Sequence, residues 1–234
     1  MKKLLIVIMP LVAASFCYGQ DINEVIKKYI EAVGGNKNLS QLQSVYREGY
    51  IKEGATSIEV KLYQKSNEGY KQQVTAAGML GYTIVTPGRS WEYMPINGQH
   101  EVRELKREQN NSLQYLLDPQ GVLYNYAEKG YRVKLDGKAI FAGTEYIRLT
   151  CVDSLANEII FYMDPATYLV ATQIRRARLN GQWQETITEF SDYREVNGLK
   201  IPFEMSLPFG RVHFRKVELN DFFDERVFMP FKNQ

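Results

Sequence analysis

The stretch Tyr162–Leu207, YMDPATYLVATQIRRARLNGQWQETITEFSDYREVNGLKIPFEMSL, carries the signals that decide the fold. Turn signals divide it at Asp164-Pro165, Asn180-Gly181 and Asn197-Gly198. Asn-Gly is the preferred pair of a two-residue type I′ turn, whose twist matches that of the flanking strands. The stretch therefore predicts successive antiparallel strands joined by tight turns.

Pro202 interrupts the last of these predicted strands. Proline lacks the N–H group that a central strand donates to its neighbour, so we expect it at a bulge or at a strand edge. An interruption this late in a long meander is what a curved sheet that fails to close would need.

The same pattern extends on both sides of this stretch. In SIEVKLYQK, Ile58, Val60 and Leu62 alternate with polar residues, as in a strand with one wet face. GRVHFRKVELND predicts a further strand near the C-terminus. Further turns are predicted at Pro87-Gly88, Asn97-Gly98 and Asp136-Gly137. Short strands at such regular spacing favour an antiparallel meander over βαβ units.

Two segments have helical periodicity instead. DINEVIKKYIEAVGG (residues 21–35) has apolar residues at three- and four-residue intervals, with Asp21 as a cap. REQNNSLQYLLDPQGVLYNYAEKG (residues 107–130) predicts a helical insertion, in which Asp118-Pro119 would begin a second short helix. We predict a mainly β protein, with one domain over residues 20–234.

The first 19 residues have the order of a secretory signal peptide. Lys2 and Lys3 precede an apolar run that is shorter than the roughly 20 residues of a membrane span. We expect cleavage after Gly19 and no membrane span in the mature chain. Lipid modification of Cys17 is the alternative, although Phe16 fits poorly before a lipidated cysteine.

Composition and motifs argue against several functions. Without Lys2 and Lys3 of the leader, 27 of the 29 lysine and arginine residues remain, and they balance the 27 acidic residues. The net charge is therefore near zero, and no nucleic-acid partner is expected. His100 and His213 belong to no metal-ligand motif, and Cys151 resembles an inert core thiol. We therefore expect a protein without cofactor, metal or catalytic residues, although a carboxylate pair stays open. The cluster QIRRAR indicates a solvated strand end or, alternatively, an anionic-headgroup site.

The 16 tyrosines and 11 phenylalanines suit a surface that binds amphiphiles. If the first helix and the insertion cover the same face of the sheet, they can enclose an apolar cavity, or simply a filled core. Strand alternation and helical periodicity predict its lining: Ile26, Ile30, Val60, Leu62, Tyr82, Ile84, Trp91, Tyr93, Leu116, Leu123, Tyr126 and Val133.

Two segments carry a family likeness. EVIKKYIEAVGGNKNLSQLQSVYREG (residues 24–49) resembles the start of LolA-like outer-membrane lipoprotein-sorting proteins, where such a helix leads into the first strand. The opening stretch resembles the same family's D-P-x-T-Y-L strand followed by F-x-D-Y-R-x-V-x-G-x-x-x-P. The likeness extends over essentially the whole mature chain.

This resemblance implies an incomplete antiparallel β-barrel whose helices cover a hydrophobic cavity. It also implies a periplasmic location and a non-enzymatic carrier of lipid or lipoprotein acyl chains, working with the lipoprotein machinery of the inner or outer membrane. The alternative is a protein-binding module of the cell envelope, such as a stress sensor, that has the same fold and no lipid cargo.

Overall fold

One antiparallel sheet organises the computed structural model, which describes residues 21–53 and 56–231. The predicted leader and Cys17 lie outside these residues. The strands are β1 (Ser44–Glu53), β2 (Thr56–Lys65), β3 (Gly69–Ala76), β4 (Met79–Thr86), β5 (Arg89–Tyr93), β6 (Arg103–Glu104), β7 (Arg132–Phe141), β8 (Thr144–Val152), β9 (Glu158–Met163), β10 (Val170–Leu179), β11 (Gln182–Val196), β12 (Leu199–Leu207) and β13 (Gly210–Leu219).

The strand order explains why the barrel is incomplete. From β1 the chain adds strands outward to β6, then restarts at the opposite edge with β7 and returns strand by strand to β13, which pairs with β1. The two edges are therefore β6 and β7, and no ladder joins them among the described residues. The mainly β fold and the incomplete antiparallel barrel are confirmed.

The N-terminal helix α1 (Ile22–Ala32) is confirmed and covers the inner face of the sheet. Asp21 caps it by accepting a hydrogen bond from the backbone N–H of Asn23 at 3.2 Å. Val25 and Ile26 are buried against residues of β8 and β9. A short helix, α2 (Gly35–Ser40), follows directly after Gly34, whose φ of 124° an L-residue rarely adopts.

The segment between the two sheet edges contains the predicted helical insertion. Its helix α3 (Arg107–Leu113) continues as a 3-10 helix at Gln114–Leu117. The second short helix predicted from Asp118-Pro119 is wrong, because residues 119–130 form irregular turns. Gly121 and Asn125 have φ values of 80° and 49°, which a right-handed helix does not accommodate. We call residues 105–131 the lid.

Two of the predicted hairpin turns show how the Gly signal works. Asn180-Gly181 and Asn197-Gly198 have paired φ values of 52° and 78°, and of 48° and 78°, as a type I′ turn requires. The turn predicted at Asp136-Gly137 is wrong, because β7 continues through it with a shift of register. Gly137 has a φ of 88° within this bulge, and the chain turns instead at Ala142-Gly143. A bulge and a type I′ turn both favour Gly at positive φ, so sequence alone confuses them.

Pro202 lies where β12 has separated from β13. The β12–β13 ladder covers Glu204–Leu207 only, whereas Pro202 pairs with Tyr193 of β11 on its other side. Two residues earlier, the N–H of Lys200 donates to the carbonyl of Val33, after α1. Alternate residues of a strand direct their N–H groups to the same side, so the missing N–H of Pro202 faces this opening. Pro202 thus occupies the edge-like position that its chemistry requires.

The C-terminal tail, residues 220–231, crosses the outer face of the sheet. Phe223 and Phe228 pack edge to face, and Phe228 lies in one cluster with Tyr82 and Ile84 of β4. The hydroxyl of Tyr82 accepts the N–H of Phe231 at 2.8 Å. As a result β4 is buried on both of its faces, one under the lid and the other under the tail.

Candidate functional site

A concavity lies between the inner face of the sheet and the lid. It has a volume of about 500 Å³, which is within the usual range for small-molecule sites. Side chains of β1–β4 form one wall and side chains of β9–β12 form the other. The apolar lining includes Leu62, Leu113, Leu116, Val122, Leu123, Ile159, Phe161, Phe190, Met205 and Leu207.

Strand register explains which side chains reach this cavity. Leu62 pairs with Gln72, which in turn pairs with Thr83, and all three line the cavity from successive strands. On the opposite wall Phe161 pairs with Gln173, which pairs with Thr188. Each row therefore places one large apolar ring or branched chain beside polar groups, so the cavity is amphipathic.

Three of the predicted cavity residues, Leu62, Leu116 and Leu123, line the cavity. The others on the inner side of the sheet belong instead to the filled core beside it. Ile26, Ile30, Tyr126 and Val133 pack with β8 and β9 beneath α1. Val60 packs in a separate cluster with Val212 and Phe214 of β13. Sequence periodicity identified them as buried without distinguishing core from cavity.

Four residues predicted to line the cavity lie on the other face of the sheet: Tyr82, Ile84, Trp91 and Tyr93. They form a cluster on the outer face, beneath the C-terminal tail. Thr83 is the residue of β4 that lines the cavity. Ile84 and Val85 are both 0% exposed, so β4 has buried apolar residues on both of its faces. Alternation along the sequence therefore cannot tell which face of β4 is turned towards the cavity.

The sequence analysis missed most of the polar lining. Arg47 on β1, Gln64 on β2 and Tyr193 on β11 all contribute to the cavity wall. Strand alternation could have found Arg47, because it pairs directly with Leu62 on the neighbouring strand. An arginine flanked by Tyr46 and Glu48 has the appearance of a solvated strand position, and nothing local marks it as facing inward.

The arginine cluster of β10 is split by the pleat of the strand. Arg175 lines the cavity and donates through Nη1 to the carbonyl of Ser112 in α3 at 2.5 Å. Arg176 faces the other side, where its Nε lies 2.6 Å from Glu185. The Nε of Arg178 donates to the carbonyl of Gly181 in the adjacent turn. Only the first of the three is therefore part of the candidate site.

The lid is attached to both walls by hydrogen bonds. On one wall the Nε2 of Gln64 donates to the carbonyl of Leu116 at 2.9 Å, and the N–H of Asn67 donates to Leu117 at 3.0 Å. On the other wall Arg175 bonds to Ser112. A hydrogen bond of this kind contributes about 1 kcal/mol net. The lid is also held by apolar contacts, because its residues Val122 and Leu123 are buried in the core beneath α1.

Burial shifts the pKa of several groups around the cavity. It raises the pKa of Tyr29 to about 12, with a smaller contribution from Asp118, and raises that of Tyr70 further. Burial also lowers the pKa of the Arg47 guanidinium. Asp118 is paired with Lys129, whose Nζ lies 2.7 Å from its carboxylate. The phenols therefore stay protonated at neutral pH and act as hydrogen-bonding groups rather than as bases.

Comparisons with known proteins identify the fold. No family model matches the chain, and no curated protein matches it significantly. A LolA superfamily protein from Nitrosomonas europaea matches with a TM-score of 0.52 at 11% identity, over 89% of this chain and 97% of that one. A DUF1329 family protein from Desulfovibrio piger matches with a TM-score of 0.53 at 12% identity, over 88% and 96%. The chain has a LolA-like fold.

In the described residues, none of the helices has the length and apolarity needed to span a bilayer.

Proposed function

We propose that this protein is a non-enzymatic carrier of the bacterial cell envelope that binds an acyl chain of a lipid or lipoprotein in the cavity beneath the lid. The observation that carries the proposal is the cavity itself, whose apolar lining includes Leu62, Leu116 and Phe161. The LolA-like fold and the leader expected from the sequence support a periplasmic location and a role in lipoprotein sorting.

The energetics of acyl binding favour a cavity with a movable cover. Burying about 15 methylenes at about 0.8 kcal/mol each would give about 12 kcal/mol, which implies very slow release. A carrier must release its cargo, so the chain has to be partly exposed or the cover has to open. Opening the whole lid would break the polar contacts of Gln64 and Arg175 and would also expose Val122 and Leu123, which pack in the core. We therefore expect the cargo to stay partly exposed, or only residues 107–117 of the lid to move.

Two neighbouring residues of β11 provide a matched test. Thr188 lines the cavity, whereas Ile187 faces the outer side and is 47% exposed. A Thr188→Trp variant fills space that the ligand would occupy. If the indole displaces three methylenes, binding weakens by about 2.4 kcal/mol, or about 50-fold. Ile187→Trp adds a similar side chain on the other face and should leave binding unchanged.

The measurements are lipid analysis and probe binding on the purified mature chain. Mass spectrometry of an organic extract should detect co-purifying acyl chains, and a fluorescent acyl probe should bind the native protein and Ile187→Trp equally. Absence of bound lipid together with no probe binding by the folded native protein would reject the carrier function. Equal probe binding by Thr188→Trp would reject this cavity as the site.

The alternative of a protein-binding module is favoured by the free edge of the sheet. β7 is an edge strand of 10 residues, and Ile140 near its end is 78% exposed. Such an edge can accept a strand from a partner. Ile140→Lys would weaken that mode of binding and leave acyl-probe binding intact, whereas Thr188→Trp would do the reverse.

A further inference from the structure

The described lining of the cavity has an unbalanced charge. It contains three cationic side chains, Arg47, Arg175 and Lys200, and one carboxylate, Asp118. That carboxylate is already paired with Lys129, at 2.7 Å. Neither arginine forms an ion pair with a carboxylate of the described residues. The cavity wall is therefore positively charged, because the described part of its lining has no unpaired carboxylate to balance the arginines.

Arg47 is the least satisfied of these cations. Its Nε is buried and has no hydrogen-bond partner in the described part of the chain. Its electrostatic neighbours are the phenols of Tyr70 and Tyr193, which are neutral groups. A guanidinium carries five N–H donors in a fixed plane, and a carboxylate or phosphate accepts two of them side by side. Arg47 thus presents unused donors to the cavity.

Arg175 is satisfied in part. Its Nη1 donates to the carbonyl of Ser112, and its guanidinium lies over the ring of Tyr115 at 5.5 Å from the ring centroid. Its Nε, like that of Arg47, is buried without a partner. Because Arg175 already fastens the lid, we assign it a secondary part in anion binding.

A partly buried cation without a partner destabilises a fold unless something else compensates it. An anionic ligand in the cavity could compensate this charge. Arg47 lies directly beside Leu62, its strand partner, and both side chains line the cavity. We infer that the cavity selects an anionic single-chain amphiphile, whose chain lies along the apolar lining and whose carboxylate or phosphate pairs with Arg47. This inference rests on the proposed acyl-binding function and specifies its ligand class.

Displacement of a neutral naphthylamine dye at pH 8 tests the inference with three ligands of equal chain length: hexadecanoate, hexadecyl phosphate and hexadecanol. The native chain should bind the two anions about 10- to 100-fold more tightly than the alcohol, the effect of a hydrogen bond to a charged group. Comparison of the two anions distinguishes a fatty-acid carboxylate from a lipid phosphate. Inorganic phosphate without a chain should displace little dye.

Arg47→Met keeps much of the flexible aliphatic stem of the side chain and removes its charge. It should abolish the preference for the anions while the alcohol binds as before. Arg176→Met is the matched control, because Arg176 lies on the outer face and pairs with Glu185. The melting temperature of ligand-free Arg47→Met should equal or exceed that of the native chain, since an uncompensated charge has been removed.

The outcomes separate this inference from the proposed function. If the native chain binds the alcohol and the anions equally, the inference is overturned and the acyl-binding function stands. If none of the three ligands displaces the dye, both are overturned. A lower melting temperature of Arg47→Met with equal losses for all three ligands would make Arg47 a structural residue and would also overturn the inference. If inorganic phosphate displaces the dye as well as hexadecyl phosphate does, the inference is also overturned, because the alkyl chain of the ligand would then contribute nothing to binding.

Discussion

The tail-covered outer face contains a buried lysine whose effect on stability can be predicted in detail. Lys71 on β3 is 4% exposed and lies between the rings of Tyr63, Tyr82 and Phe231, the last at 4.7 Å from the ring centroid. Burial lowers the pKa of Lys71 from 10.5 to about 8. Rings attract the cation, but they replace only part of the hydration that it loses.

The sign of the pH dependence follows from this shift. Below pH 8 the amine is protonated in both the folded and the unfolded chain, and the fold carries the whole cost of burying the charge. Above pH 8 the folded chain releases the proton while the unfolded chain keeps it up to about pH 10.5, so the unfolded state binds more protons. The free energy of unfolding therefore rises with pH across this interval.

The magnitude can be calculated from the two pKa values. A depression of about 2.5 pH units corresponds to about 3 kcal/mol of lost stability at pH 7. Between pH 7 and pH 9.5 about 2 kcal/mol of this is recovered. The interval stops at pH 9.5 because the raised pKa of buried tyrosines, such as Tyr29 at about 12, gives an opposite slope at higher pH.

The assay is urea unfolding followed by far-ultraviolet circular dichroism at pH 7.0, 8.0 and 9.5. Native protein should gain about 2 kcal/mol relative to Lys71→Met over this range, because the variant lacks the titrating group. Gln73→Met, on the same face of β3, removes no charge and should follow the native pH dependence. A constant difference between Lys71→Met and the native protein would refute the reasoning, since it would mean that the ring contacts fully offset the burial.

Two further predictions concern backbone packing and thiol chemistry. Gly34→Ala should destabilise the fold by at least about 3 kcal/mol in urea, because a Cβ there would lie 2.1 Å from the carbonyl oxygen of Gly198. Gly35→Ala meets no atom within 4 Å and should cost about 1 kcal/mol, so equal losses would contradict this account. Cys151 is 0% exposed and burial raises its pKa to about 12, so a thiol reagent at pH 8 should modify it only after denaturation. Rapid labelling of the native protein would show that β8 opens.

The cavity differs from a simple acyl slot in its polar lining. Gln72, Thr83, Gln173 and Thr188 all contribute to its walls. A purely apolar cavity would bind a chain by burial alone and would discriminate poorly between headgroups. Polar groups on both walls give this cavity a means to position one end of an amphiphile, which agrees with the role assigned to Arg47.

How far the sequence could predict the site depended on local periodicity. Periodicity indicated the face of β2 that carries Leu62, which lines the cavity, because Ile58, Val60 and Leu62 alternate with polar residues. Ile84 was placed on the wrong face because both phases of β4 are apolar, and Trp91 of β5, which pairs with Ile84, lies on the same face as Ile84. Only the docked C-terminal tail explains why this face is apolar. The tail is distant in sequence, so no local pattern in β4 could reveal it.

The sequence by itself determined the elements that depend on neighbouring residues. Asn180-Gly181 and Asn197-Gly198 set two hairpins, the apolar stripe of residues 21–35 set α1, and Pro202 marked the place where β12 and β13 separate. Backbone sterics, capping and the absence of an N–H act within a few residues, and a single sequence records them directly.

Tertiary structure alone decided which buried groups face a cavity and which face a filled core. Arg47 and Leu62 meet through pairing of β1 with β2, and the opposite wall comes from β9–β12, which begin at Glu158, far along the chain. Closure of that space depends on the lid, which spans from one free edge of the sheet to the other. Burial and charge balance arise from all these elements together, so they become visible only once the chain has folded.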